Sequence, residues 1–241
     1  MSAPTVHTTE TVRPQNGRMS DSAGEPATRS GIAGSRIAAE LRQDILDGNY
    51  APGARVRQED LADQHGASRL PVREALRMLE SEGLVTVVAN TGAWVSRLSL
   101  AECEEMYQIR ERIEPLLLRF SIPRLDERAI DRLEQLADEM ERSTDVEHFL
   151  RLDREFHLSS YAAAETSVLG GLVEQLWNRT QHYRRAFTRV FRSEGDRSVH
   201  HDHHLIVHAV RRGDLDEAER VLYGHIRRTR LELARHPEVF A

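Results

Sequence analysis

The sequence has no lysine, a single cysteine and no long apolar run, and each shortage narrows what the chain can be. All 33 basic residues among the 241 are arginine, a bias that a GC-rich genome would produce. Every cation is therefore a planar fork suited to phosphate, guanine or carboxylate. Cys103 has no partner, which excludes a disulfide framework. No apolar stretch approaches the roughly 20 residues of a membrane span. The first thirty residues also lack the apolar segment of a secretory signal, so a cytoplasmic protein with no membrane association is expected. The formal net charge of -6 argues against non-specific attraction to nucleic acid. The hydrophobic share of 39% and charged share of 30% are those of an ordinary globular chain, long enough for two modest domains.

What is present divides the chain in three. Residues 1–30 are rich in Ser, Thr, Pro, Gly and Ala without periodicity and read as a disordered tail. Residues 31–98 read as helix, helix-turn-helix and hairpin. Ile37, Ala38, Leu41 and Ile45 give one helical stripe, and a short helix over 58–65 ends at Gly66. A third helix starts after Ser68, a good N-cap residue, and continues through Val72, Leu76 and Leu79. Two β-type stretches, 84–88 and 93–95, flank a turn at Asn90-Thr91-Gly92. That layout is a winged helix. Residues 99–241 carry almost no strand signal. Helical stretches over 100–120, 126–142, 146–164, 167–190, 198–212 and 215–236 predict an all-α bundle of six or seven helices, with Pro115 placed to kink the first.

In a helix-turn-helix the second helix enters the major groove with its N-terminal residues against base edges. Here that end presents Ser68, Arg69 and Arg73, with both arginines on one face. Arginine fits the paired acceptors of guanine, and a helix N-terminus with a hydroxyl can hold a phosphate. Arg77, a turn later, would meet the DNA backbone, and Gly92 marks a wing tip that could approach the minor groove. Arginines on an arbitrary amphipathic helix would be merely solvated.

The full pattern is more specific. Residues 36–98 resemble the winged-helix domain of the GntR family. The resemblance is carried by Arg36-Ile37-Ala38, Gly48-Asn49-Tyr50-Ala51-Pro52-Gly53, Glu59-Asp60-Leu61-Ala62 and Ser68-Arg69-Leu70-Pro71-Val72-Arg73-Glu74-Ala75-Leu76. Glu82-Gly83-Leu84-Val85 and Gly92-Ala93-Trp94-Val95 complete it. It implies that Arg69 and Arg73 grip the operator, assisted by Ser68 and the wing at Gly92. One departure is Glu59, where some members carry a DNA-contacting arginine.

The C-terminal half holds ionisable residues on apolar faces. Asp153 and His157 are four apart, bordered by Phe149, Leu152 and Phe156. His203 precedes Ile206 and Val210 at helical spacing, and His225 lies on a stripe with Ala218, Val221 and Leu222. One carboxylate and three imidazoles suit a divalent ion, zinc first and otherwise nickel, manganese or iron. Periodicity alone does not choose His203 over His200, His201, His204 or His208, and a lone inward histidine is more often a hydrogen-bonded core residue. Residues 100–235 resemble the ligand-binding FCD domain of the FadR-type branch of the family. The carrying stretches are Tyr107-Gln108-Ile109-Arg110, Asp153-Arg154-Glu155-Phe156-His157, Asp202-His203-His204-Leu205-Ile206, Ala209-Val210, Gly213-Asp214 and His225. The resemblance implies that Asp153, His157, His203 and His225 ligate a metal. A departure at Glu165-Thr166-Ser167 replaces a common Gly-Asn-Pro turn. Arg110 is the candidate partner of an acidic effector through a bidentate pair; the alternative for it is a salt bridge.

These readings predict a homodimeric transcriptional regulator, a repressor by expectation, that binds double-stranded operator DNA and responds to a carboxylate metabolite near a divalent metal. A purely metal-responsive regulator is the alternative. A metal-dependent enzyme is disfavoured, because Glu155 lies on an adjacent face from the ligands and the winged helix would have no use.

Overall fold

The computed structural model describes residues 25–89, 91–193 and 197–240. The chain begins with α1 (Glu25–Leu46), seven residues before the expected start at 32. Pro26 sits in its first turn, where a missing N–H costs nothing, and this is the signal that composition obscured. Gly34 does not break the helix. A Cβ there would come within 3.2 Å of Glu74 and of the Pro71 carbonyl, so its absence lets α1 lie close on the third helix. Residues 1–24 of the expected tail, and Asn90 of the expected wing turn, lie outside the described residues.

A two-residue strand, β1 (Arg55–Val56), follows; it is too short to produce any sequence period. Then come α2 (Gln58–His65), α3 (Arg69–Ser81), β2 (Val85–Val88) and β3 (Gly92–Val95). The strands form one antiparallel sheet in the order β1-β3-β2, with Arg55 opposite Trp94 and Val85 opposite Val95. Ile37, Leu41, Leu61, Val72, Leu76, Leu79, Leu84 and Ala93 close a core of their own.

The second unit is α-helical: α4 (Leu100–Ser121), α5 (Glu127–Arg142), α6 (Val146–Tyr161), α7 (Leu169–Ser193), α8 (Ser198–Arg211) and α9 (Leu215–Leu233), with short 3-10 turns after α4 and after α9. Side chains start most of these helices. Ser99 and Glu102 form a reciprocal capping box on α4. Asp126, Asp145 and Asp214 each accept a backbone N–H of the first turn of α5, α6 and α9. Pro115 lies inside α4, which continues past it. Its core runs from Leu98 through Leu118, Leu136, Phe156 and Trp177 to Ile226, separate from the first. Cys103 is buried in it, and burial pushes its thiol up to about 12.

Helix α7 joins the units. Gln175 Nε2 donates to the Ser81 carbonyl and Asn178 Nδ2 to the Glu82 carbonyl, both at 2.8 Å, where α3 ends. Arg185 donates to the Leu46 carbonyl at 2.7 Å, where α1 ends, and pairs with Glu147 on α6 at 2.8 Å. Gly48 turns there at φ +83, and a Cβ would lie 2.8 Å from Arg185 Cζ. Gly48→Ala is expected to cost the left-handed strain of about 1–2 kcal/mol plus displacement of Arg185. Gly213→Ala, at φ +64 with no atom within 4 Å of the added Cβ, should cost the strain alone. Urea midpoints of the two variants measure the difference; equal losses would mean that Arg185 does not hold the junction.

Candidate metal centre and nucleic-acid interface

On α6, the buried residues Phe149, Leu152, Phe156 and Ser160 share the inward face with Asp153 and His157, as the helical period requires. His203 from the middle of α8 and His225 from α9 meet them. One ligand atom from each of Asp153, His157, His203 and His225 lies within 4.8 Å of the others, and all four residues are buried. The imidazole centroids stand 4.8–5.4 Å apart. The other histidines of α8 stand outside this group. His201 and His208 are exposed, and His204 bonds Glu141 at 3.1 Å.

The outer contacts of two rings fix their inner nitrogens. Glu114 is an acceptor for the Tyr161 hydroxyl at 2.8 Å and for Trp177 Nε1 at 3.1 Å. With its proton given to Glu114, Tyr161 can only accept from His157 Nδ1, 3.3 Å away. The His157 proton is therefore on Nδ1 and the Nε2 lone pair faces the cluster. By the same logic, His225 Nδ1 donates to the Asp202 carboxylate at 3.2 Å, leaving Nε2 as the free donor of electrons. Such outer partners set ligand orientation and tautomer. His157 Nε2 and His203 Nδ1 are buried without a hydrogen bond, and Asp153 Oδ1 lies 3.2 Å from His203 Nε2 and 3.7 Å from His157 Nε2. Buried polar groups with incomplete hydrogen bonding are costly, and a shared cation would satisfy them together. The residues present fit a divalent ion.

Two arginines border this centre. Arg184 of α7 places its guanidinium against Asp153 Oδ2 and 4.2 Å from the Trp177 ring. Arg110, the residue expected to meet an acidic effector, meets a carboxylate of its own helix: its Nε lies 2.5 Å from Glu114 Oε1. It also donates to Thr180 Oγ1 at 2.9 Å and lies 4.5 Å from the centre of the Trp177 ring. Arg184, Asp202, Tyr161 and Glu114 were not singled out from the sequence. Asp202 sits beside His203 in a stretch that resembles the family, and Glu114 lies four residues from Arg110; those spacings were the available signals.

Burial, reinforced by neighbouring positive and imidazole groups, lowers His157 and His225 well below the usual histidine range and His203 to about 3. Burial also draws Arg184 down to about 10. The three imidazoles are therefore neutral and able to ligate at neutral pH.

On the first unit, Arg69, Arg73 and Gly92 line one concave surface of about 750 Å³ together with Arg55, Arg57 and Glu59. Ser68 is the exposed N-cap of α3, yet its side chain makes no capping bond. Arg77 is exposed one turn beyond that lining. Arg55, missed in the sequence, donates to the Thr91 carbonyl at 2.9 Å and packs over Trp94, bracing the wing. Glu59 lies 3.6 Å from Arg69.

A groove lined by arginines on a winged helix, joined to an all-helical unit, is the architecture of a DNA-binding transcriptional regulator. The chain belongs to the gntR family of bacterial regulatory proteins, whose model matches residues 33–95, and it carries an FCD domain over residues 105–228. It is 31% identical over 214 residues to an uncharacterized HTH-type transcriptional regulator in an unstable DNA locus of Streptomyces ambofaciens, covering 84% of this chain and 87% of the relative. It is 27% identical over 215 residues to the Uxu operon regulator of Haemophilus influenzae, covering 83% and 81%. A crystal structure of a GntR transcriptional regulator from Rhodococcus shares the fold, with a TM-score of 0.71 over 84% of this chain and 97% of that one at 24% identity. These relatives are regulators, not enzymes. Among the described residues no helix is long and apolar enough to cross a membrane.

The histidines set a pH dependence. Below their usual value near 6.5 the unfolded chain takes up protons that the folded cluster refuses. The stability they contribute is present above pH 6.5 and is lost as pH falls below it, for His203 down to about 3, at about 1.4 kcal/mol per pH unit for each fully protonating group. Urea unfolding from pH 7.5 to 5 should show this loss, and His203→Phe should flatten it. An unchanged slope in that variant would contradict the buried neutral ring.

Proposed function

We propose that the protein is a cytoplasmic, homodimeric repressor whose operator affinity is set by an acidic metabolite bound with a divalent metal, zinc first, at Asp153, His157, His203 and His225. The observation that carries this reading is the convergence of four buried residues from three helices, with one ligand atom of each within 4.8 Å of the others. When bound, the ion would act as a Lewis acid that holds an oxygen ligand of the effector. The chain's own residues do the rest. Tyr161 and Asp202 orient two imidazoles, Arg110 neutralises Glu114, and the Trp177 ring packs against both guanidinium groups.

Helix α7 supports a route to DNA. Its Arg184 touches the centre, while Gln175, Asn178 and Arg185 hold the ends of α3 and α1. A shift of α7 would reorient the helix that carries Arg69 and Arg73, which is what a difference in affinity between two states requires. For the dimer, the supporting feature is an exposed apolar stripe of Ile109, Leu116 and Phe120 on α4 beside Leu231 on α9. Paired half-sites are the usual target of such modules. Relatives named for an operon and a regulon support control at that level.

Arg69→Ala and Arg73→Ala should each cost roughly 1–3 kcal/mol of operator binding, relaxing sequence preference, while thermal unfolding is unchanged. Fluorescence anisotropy at matched salt measures this. Retained affinity in both variants would remove α3 as the reading helix.

Elemental analysis of untagged protein should find one divalent ion per subunit. His203→Ala and His225→Ala should lose it. Full metal content in both variants would move the site elsewhere. A change in operator affinity on metal loading alone, with no response to any metabolite, would favour the purely metal-responsive regulator.

A further inference from the structure

Helix α3 leaves one large apolar side chain outside its core. The core face of the helix is Pro71, Val72, Ala75, Leu76 and Leu79, all buried. Leu70 is 57% exposed. With about 100° between successive residues, Leu70 lies opposite the middle of that buried face. Arg77, seven residues on, returns to within about 20° of Leu70, and Arg73 stands about 60° to one side. Both arginines are exposed, so Leu70 sits on the outermost ridge of α3, in its first turn and among charges. Pro71, next in sequence, is buried and has a fixed φ, which makes the backbone that presents Leu70 rigid.

A single surface leucine is ordinary elsewhere on a protein. Here its neighbours limit what can cover it. Arg69 and Arg73, on either side of it in sequence, line the concave surface of the winged helix. A duplex held by those two arginines brings base edges against the first turn of α3. In the major groove these edges are hydrogen-bonding atoms, apart from one apolar group, the C5 methyl of thymine. Leucine neither donates nor accepts a hydrogen bond. Over a guanine or adenine edge it would strand the polar atoms that it covers. Over thymine it packs apolar surface on apolar surface, and water leaves both.

We propose that Leu70 is a specificity residue that reads thymine: its side chain packs on the C5 methyl of one thymine per half-site, beside the base met by Arg69 or Arg73. The inference rests on the reading of α3 as the recognition helix given above. It adds an uncharged determinant to a surface whose other reading groups are cations.

The test uses full-length protein and a duplex selected by the wild type from a random-sequence pool. Each thymine of that duplex is replaced in turn by deoxyuridine, which keeps every hydrogen-bonding atom and removes only the methyl. Fluorescence anisotropy at matched salt reads the affinity. For wild type, one thymine per half-site should be sensitive, with binding about fourfold weaker for each methyl removed, the value of one buried carbon. Leu70→Ala and Leu70→Gln should bind the thymine and deoxyuridine duplexes equally at that position. Either variant suffices should the other fail to fold. A wild type indifferent to every replacement overturns the proposal, and so does a methyl effect that survives in the variants. Arg69→Ala and Arg73→Ala separate this failure from that of the underlying reading. If both keep their affinity for the selected duplex, α3 is not the recognition helix and both readings fall. If both lose it while the methyl effect is missing or independent of Leu70, the arginine reading stands and the role of Leu70 alone is refuted.

Discussion

A carboxylate buried among three neutral imidazoles is the constraint around which the helical unit is arranged. Asp153 is 1% exposed, so its carboxylate is cut off from bulk solvation. A charge in that position needs either a cation of the chain or a cation from outside. The structure supplies the first through Arg184, and that choice propagates. Arg184 must itself be buried, so Trp177 supports it by a cation–π contact. Trp177 in turn needs an acceptor for its indole N–H, which Glu114 provides, and Glu114 needs Arg110. Tyr161 completes the chain by linking Glu114 to His157. One buried acid thus accounts for polar side chains on α4, α6 and α7.

The same helix that neutralises Asp153 holds the DNA-binding unit. Arg184 and Arg185 are adjacent in sequence and necessarily point about 100° apart around α7, so one reaches the ligand cluster while the other reaches the end of α1. Two and three turns back toward the N-terminus, Asn178 and Gln175 hold the end of α3. Each contact is to a backbone carbonyl at a helix terminus, where acceptors are unsatisfied by the helix itself. Contacts of this kind tie α7 to the ends of α1 and α3 through backbone acceptors. The two apolar cores are separate clusters, so these hydrogen bonds, with the side chains around Gly48 and Leu98, define the relative setting of the units.

The features legible in the sequence share a physical property: they repeat or have fixed local spacing. The helical stripes, the Asp-capped helix starts, and the Asp153–His157 pair all follow from the 3.6-residue period and were readable from one segment at a time. The winged helix was readable because its turns have specific residue demands. What escaped is non-local or too short. β1 has two residues and exists only through its pairing with β3. The early start of α1 falls in a stretch whose composition resembles a tail and carries no apolar period. Arg184 stands among several arginines in the run 179–192, and nothing in periodicity marks the one whose rotamer reaches α6. Likewise, the role of Tyr161 as acceptor from His157 exists only once Glu114 of α4 is placed beside it.

The DNA face shows how a chain of net charge -6 can still attract a polyanion. Arg55, Arg57, Arg69 and Arg73 are gathered on one concave surface, so the local field is positive although the whole is not. Glu59 stands inside that group, 3.6 Å from Arg69, and both side chains are more than half exposed. An exposed pair of this kind contributes at most about 1 kcal/mol and is easily exchanged. Glu59 therefore tempers the positive field of this surface at one point without fixing the Arg69 side chain in place.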